Sequence, residues 1–348
     1  MAKNCIGLDL GSSAVKVTQV KKGRGGSFQL VNFGIEPVPP DTIVDGAILN
    51  HSGVVEAIRA LFDRLKIKQK EVALAISGNA IIIKKIFVPA MTPDELEEQI
   101  PWEAEHHIPF NKNDVEIDYQ ALGGRNAAGQ MEILLVAAKK EVVADYAAVA
   151  REAALNPVVV DVAAFAVQNG FEATYGSPSE VVALINVGAS ISTINIIDRG
   201  TSAFTRDVAT GGNTFTDDLK RHLAVSGDEA ESMKVMFSDE GAGSPDVGRI
   251  LQQTSNTMAG EFQKSIDFYL ASHPDATISR IYLAGGSARM PALQTAIEQR
   301  ARVGVEVLEP FRNVNVAPGV DPSFLRRHGA QGVVSLGLAL RSPGDKFE

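Results

Sequence analysis

The sequence predicts an α/β chain of two related lobes, with a smaller α+β subdomain inserted into the first. Three observations carry this prediction. Residues 6–20 (IGLDLGSSAVKVTQV) and 183–197 (ALINVGASISTINII) repeat one pattern of apolar strand, polar residue, glycine turn with serine, and second apolar strand. Their offset is close to half of the 348 residues, as expected of a duplicated architecture. Strand and helix patterns also alternate through both halves, and the length itself predicts about two domains.

In the first half, Val54, Ala57, Ile58, Leu61, Phe62 and Leu65 recur at helical spacing, which predicts a helix over 53–66. Runs rich in β-branched and aliphatic residues predict strands at 71–76 and 80–88. Thr92-Pro93-Asp94-Glu95 is a capping box with proline at the first helical position, opening a helix towards His106. Strands follow at 114–120 and 131–138, then a helix at 139–154 and a strand at 158–161. The second half reads as strands at 181–187, 190–197 and 202–208, then helices from Gly212 and Asp228. A Gly/Ser/Pro/Asp loop at 238–246 precedes a long helix at 247–271. Strand 278–283 enters Gly285-Gly286, a helix spans 291–302, and a short strand covers 305–308. The last helix, 330–341, carries Gly332 and Gly337, whose propensity cost of about 1 kcal/mol each implies close packing on a neighbouring helix. The expected division is a first-lobe core (1–88, 158–178, 330–348), an inserted subdomain (89–157), a second-lobe core (179–208, 278–329) and a helical second-lobe subdomain (209–277).

Composition narrows the function classes. With 45% apolar and 22% charged residues the chain is an ordinary globular protein. A formal charge of −9 argues against non-specific binding to nucleic acid or anionic lipid. The single cysteine, Cys5, cannot make an internal disulfide and reads as a small buried residue. No apolar stretch approaches the roughly 20 residues of a spanning helix. Neither the start nor the polar end carries a signal segment or amphipathic helix, so a cytoplasmic location is expected, with membrane contact through a partner.

The chemistry sits at glycine turns. At Asp9-Leu10-Gly11-Ser12-Ser13 a strand ends in a carboxylate, and a tight hairpin turns amides and hydroxyls towards an anion, with Lys16 nearby as the positive charge. Asp9 is placed to hold Mg²⁺ through water, because that ion keeps much of its hydration shell. The echo supplies Asn186, Gly188 and Ser190. Gly285-Gly286-Ser287 lies between a strand and a helix, where bare backbone approaches a base or ribose. Gly211-Gly212-Asn213 opens a helix whose free amides suit an anion. Glu261 and Lys264 on the long helix are either ribose- and phosphate-facing groups or a surface ion pair. P-loop, nucleophile-elbow and His-Glu-x-x-His patterns are absent from the sequence, and adjacent His106 and His107 point apart on a helix.

In order and spacing these motifs resemble the actin/heat-shock-chaperone/sugar-kinase ATPase superfamily. Residues 6–17 resemble its first phosphate motif, 158–170 its first connecting motif, 183–197 its second phosphate motif, 280–293 its adenosine motif and 330–341 its second connecting motif. The resemblance implies an actin-like two-lobed fold of duplicated ribonuclease H-like βββαβα lobes, binding ATP with Mg²⁺. Within the superfamily the chain is similar to the PilM family of actin-like type IV pilus assembly proteins. Trp102-Glu103-Ala104-Glu105-His106-His107-Ile108-Pro109-Phe110 is the most specific carrier, since phosphate binding has no need of it. The inserted block is placed like the relocated subdomain of the division protein FtsA, whose membrane helix this chain lacks. The family resemblance implies a scaffold of the inner-membrane pilus platform. Its partner PilN would insert an N-terminal cytoplasmic tail into a groove between first-lobe core and inserted subdomain, near 71–90 and the inserted block. Other platform and motor proteins are further partners on the same ground.

One residue departs from the pattern. Hydrolysing members carry a carboxylate in the second phosphate motif, where this chain has Asn186. An amide hydrogen-bonds but neither acts as a base nor offsets metal charge, so hydrolysis is expected to be weak or absent. Asp161, at the end of the connecting strand, is the remaining carboxylate candidate. An FtsA-like polymer and a small-molecule kinase of the same fold are the alternatives; a kinase would need a substrate-side aspartate base and larger insertions, and neither is evident.

Overall fold

The computed structural model describes residues 4–345 except 24–26, 124–125, 127, 241–242 and 313. The first three residues, the last three of the polar end and part of the expected loop at 238–246 lie outside the described residues.

The first lobe starts with a meander of β1 (Ile6–Leu10), β2 (Ala14–Lys22) and β3 (Phe28–Pro37). The short pair β4 (Ile43–Val44) and β5 (Ala47–Ile48) leads into α1 (His51–Arg64). The Asn50 side chain caps α1 by accepting from the Gly53 amide at 3.0 Å. β6 (Glu71–Ile76) then runs parallel to β1. The inserted sheet comprises β7 (Ile81–Pro89), β8 (Val115–Ala121) and β9 (Gln130–Lys139), in the order β7-β9-β8. Its helix α2 (Pro93–His107) starts at the expected capping box and buries Leu96, Ile100 and Ala104 against that sheet. After α3 (Lys140–Glu152), β10 (Asn156–Val162) pairs with β6, and α4 (Ala163–Tyr175) crosses to the second lobe.

The second lobe repeats the scheme with β11 (Val181–Val187), β12 (Ser192–Asp198) and β13 (Thr201–Val208). Helices α5 (Gly212–Leu223), α6 (Gly227–Glu240) and α7 (Pro245–Ser272) follow, then β14 (Ile278–Ala284), α8 (Pro291–Ala301) and β15 (Val305–Val307). The strand order β13-β12-β11-β14-β15 matches β3-β2-β1-β6-β10 of the first lobe, where β16 (Asn315–Val316) adds one further edge strand. The chain ends with α9 (Pro322–His328) and α10 (Val333–Ala339).

Helices α4 and α10 form the layer between the two sheets. Ala166, Val167 and Phe171 of α4 and Val333, Val334 and Leu338 of α10 pack with Ala73, Leu184 and Ile197 from both lobes. Each large aliphatic side chain buried there contributes about 1.5–3 kcal/mol. Gly337 makes the crossing possible, because a Cβ there would lie 1.8 Å from the Ala166 carbonyl oxygen. Gly332 does not pack on a helix as expected. It sits in a 3₁₀ turn over 329–332, and a Cβ there would meet the Phe33 and Phe311 rings at 2.7–2.8 Å.

Three expected boundaries move. All of β7 pairs with β9, so the inserted subdomain begins near residue 80 and not at 89. Helix α3 leaves it, because Tyr146, Val149 and Ala150 pack into the first-lobe core with Ile58 and Leu61. Residues 311–312 and 314–328 leave the second lobe: β16 pairs with β3, and the Phe311 and Phe324 rings pack at a tilt against Phe33.

Candidate functional site

The two glycine hairpins face each other across the cleft between the lobes. In the first, Gly11 N–H donates to the Ala14 carbonyl at 3.1 Å; in the second, Gly188 N–H donates to the Ile191 carbonyl at 3.1 Å. These are equivalent positions of the repeat. Asp9, Gly11, Ser12, Ser13 and Lys16 line one wall, and Asn186, Gly188 and Ser190 line the other. The hairpins touch: Ser190 Oγ donates to Ser12 Oγ at 3.0 Å, leaving a cavity of about 90 Å³.

The charged residues that line the cavity itself, Asp9, Lys16 and Asp45, all belong to the first lobe. Strand pairing sets Asp9 opposite Lys16, whose Nζ lies 3.1 Å from Asp9 Oδ2 with both side chains largely buried. The same register on the other side sets Asn186 opposite Thr193. Thr193 Oγ1 donates at 2.7 Å to Asp207, whose other oxygen accepts the Gly78 amide of the first lobe at 2.5 Å. Tyr146 also lines this cavity and donates to the Gly46 carbonyl at 3.1 Å. Burial, and secondarily the charge of Asp9, push its phenol well above the usual range.

The remaining expected residues divide. Gly285 closes the cleft beside Asn186. Its φ of +91° and the Val187 oxygen, which would lie 2.3 Å from a Cβ, both call for glycine. Ser287 stands against Gly212, with its Oγ 2.8 Å from where a Cβ would be, and Gly286 continues the same turn. Asn213 reaches the cleft through a 3.4 Å bond from its Nδ2 to Ser190 Oγ. The α5 amides are not free, however: Gly212 N–H donates to the Gly188 carbonyl and Asn213 N–H to that of Ala189, both at 2.8 Å. Gly212 and Asn213 thus brace the second hairpin, and Gly211 permits the approach, since a Cβ there would lie 2.5–2.6 Å from the Ala189 and Gly188 oxygens.

Two expectations fail on geometry. Glu261 and Lys264 form an exposed i,i+3 ion pair at 2.6 Å on α7 and do not line the cleft. The same Glu-x-x-Lys pattern on α6 is better placed. Lys234 Nζ, largely buried, bonds the Gly212 carbonyl at 3.2 Å, Thr216 Oγ1 at 3.1 Å and Glu231 at 2.6 Å. That spacing was readable in the sequence, but only the fold brings α6 to Gly212. Asp161 also faces away from the cleft. It is buried in a 2.6 Å pair with Arg341 and accepts the Val162 amide at 2.7 Å. Burial raises its carboxyl above the ordinary range, while Arg341 and the Val162 amide oppose that rise.

Asp161 instead belongs to a second concavity, a groove of about 770 Å³. Its walls are β8 and β9 of the inserted sheet, β10, helix α4 and the β12–β13 turn at 200–202. Of residues 71–90, expected to contribute, only Ile76 lines it, because β9 and β8 stand between the groove and β7. Among the described residues no helix is long and apolar enough to cross a membrane.

Comparison with solved structures gives the fold. A chain solved as the "PilM-PilN type IV pilus biogenesis complex" matches at a TM-score of 0.85 and 26% identity, covering 98% of this chain and 99% of its own. The ethanolamine utilization protein EutJ from Carboxydothermus hydrogenoformans matches at 0.59 and 17%, covering 98% and 90%. MreB 5 of Spiroplasma citri, solved with AMPPNP, matches at 0.51 and 13%, covering 97% and 95%. The fold is therefore the actin-like one. A model of the type IV pilus assembly protein PilM matches residues 7–343, nearly the whole length. The chain belongs to the PilM family.

Proposed function

We propose that this protein is an ATP-binding, actin-like scaffold of type IV pilus assembly that holds the cytoplasmic N-terminal tail of PilN and so reaches the inner membrane through that partner. The observation that carries the nucleotide half is the apposition of two equivalent glycine hairpins with Asp9 and Lys16 on one of them. Their donors suit a polyphosphate: one ammonium and the hydroxyls of Ser12, Ser13 and Ser190. ATP with Mg²⁺ would supply a polyanion and a hydrated cation. The cavity of about 90 Å³ is too small for a triphosphate, so Ser12 and Ser190 must separate to admit it. Lys16 would then turn from Asp9 to phosphate, and Asp9 would hold the water around the metal. Asn186 offers no carboxylate for activating water, so turnover is at most slow.

The tail half rests on the family and on the PilM–PilN pairing of the solved relative. The groove between first-lobe core and inserted subdomain is the docking place we assign. Its wall includes second-lobe residues 200–202, and Gln168 of α4 donates to the Gly200 carbonyl at 2.9 Å. A change of lobe angle at the nucleotide cleft therefore reshapes the groove, which links ATP to tail affinity. The test is titration of a PilN tail peptide into the protein with and without ATP and Mg²⁺. Binding whose affinity depends on nucleotide is expected; binding in neither state would refute the scaffold reading.

A further inference from the structure

The groove is built between two open strand edges. β10 is the outer strand of the six-stranded sheet, and β8 is the outer strand of the inserted sheet. β9 contributes the alternate residues Leu134, Val136 and Ala138, as one face of a strand must. β8 and β10 contribute consecutive residues, 116–122 and 158–162, which a strand does only along its edge. The two edges are not equally available. β10 is blunted by Pro157, which has no amide hydrogen, by a register shift between Pro157 and Val159, and by Asp161 on the Val162 amide. β8 contains no proline and pairs with β9 in unbroken register, although its Tyr119 amide is taken by Asp118 at 2.9 Å.

Charge adds a second, independent constraint. The lining carries five carboxylates, Glu116, Asp118, Asp161, Glu172 and Asp345, against the single guanidinium of Arg341. Arg341 is committed to Asp161 at 2.6 Å and Asp345 at 3.6 Å. Glu116, Asp118 and Glu172 have no ion-pair partner among the described residues. Glu116 and Asp118 alternate along β8 with Val115, Ile117 and Tyr119, which pack towards α2. Glu172 accepts from Gln168 at 2.9 Å, and burial raises its carboxyl.

From these placements we infer that the groove takes a basic segment in extended form, added as a strand to the β8 edge, with its cationic groups read by Glu116, Asp118 and Glu172. The inference rests on the tail reading above and specifies how the tail is held. Main-chain hydrogen bonds give the affinity and the carboxylates give the selectivity.

The test is calorimetric titration of a synthetic PilN tail peptide into wild-type protein and into E116Q/D118N and E172Q. Three modified peptides complete the set: two N-methylated at alternate residues in opposite phases, and one with Lys and Arg changed to Gln and its amino terminus acetylated. Unmodified peptide should bind wild type, and raised salt should weaken it about tenfold. One phase of N-methylation should abolish binding while the other is tolerated. E116Q/D118N and the neutralised peptide should each lose about tenfold. A peptide indifferent to both phases and to charge, yet still binding wild type, overturns this inference and leaves the tail reading intact. A peptide that fails to bind wild type overturns both. E172Q, distant from the β8 edge in sequence, keeps the charge test open if the double variant does not fold.

Discussion

The two glycine hairpins share a backbone and differ in charge. Both close with the same amide-to-carbonyl bond at 3.1 Å, and both end a central strand of their sheet. The first places a buried ion pair, Asp9–Lys16, at the register where the second has Asn186 and Thr193, both uncharged. The two halves thus share the hairpin geometry, while the charged pair occupies this register in the first hairpin alone. Under the proposed function, geometry and one cation would hold the phosphates, while Asn186 can orient a water but cannot act as its base. The difference reads as a site retained for holding nucleotide.

The largest expected effect comes from truncating the two register positions in turn. Lys16→Ala removes a charge-assisted donor and leaves Asp9 uncompensated, and should weaken ATP binding roughly 100-fold by titration. Thr193→Ala, its counterpart, loses a neutral hydrogen bond and should cost about tenfold or less. Equal losses would break the proposed asymmetry. Asn186→Asp restores the missing carboxylate and should raise Mg²⁺-dependent phosphate release about tenfold; unchanged release would show that the block lies elsewhere. The smallest effect concerns Cys5, which precedes β1 at the end opposite the hairpin and whose thiol burial pushes up to about 11. Native protein should resist alkylation at pH 8. An unfolded thiol ionises near about 8.5, so above that pH the unfolded state has lost a proton that the folded state still holds. Stability therefore falls as pH rises towards 11, and a Cys5→Ala variant should lack that part of the decline.

Much of the fold was legible because it is local. Both hairpins, α1, and α2 with its capping box follow from periodicity and turn chemistry. β3 escaped notice because of a bulge. Gln19 pairs with Asn32 but Val20 pairs with Leu30, so Val31 is extra and Leu30 and Phe33 are both buried despite odd spacing. The strand character of 80–88 is readable, but a strand's partner is a tertiary fact, so the sequence groups it with the first-lobe core although β7 pairs with β9. The same limit explains Asp161, whose position after a connecting strand suggested the cleft although its side chain pairs with Arg341 from 180 residues away. Lys234 and Asp207 reach Gly212 and Thr193, behind the second wall, only through the folding of α6 and β13. The groove was invisible because it lies between two edges that no local pattern brings together.

Under the proposed function the hairpin cleft binds ATP and does not turn it over rapidly. The most direct measurement follows ATP binding and phosphate release together in one sample of wild-type protein with Mg²⁺. Saturable binding is expected, weakened roughly 100-fold in Lys16→Ala, with release close to the uncatalysed background. Rapid Mg²⁺-dependent release, or no binding at all, would contradict it.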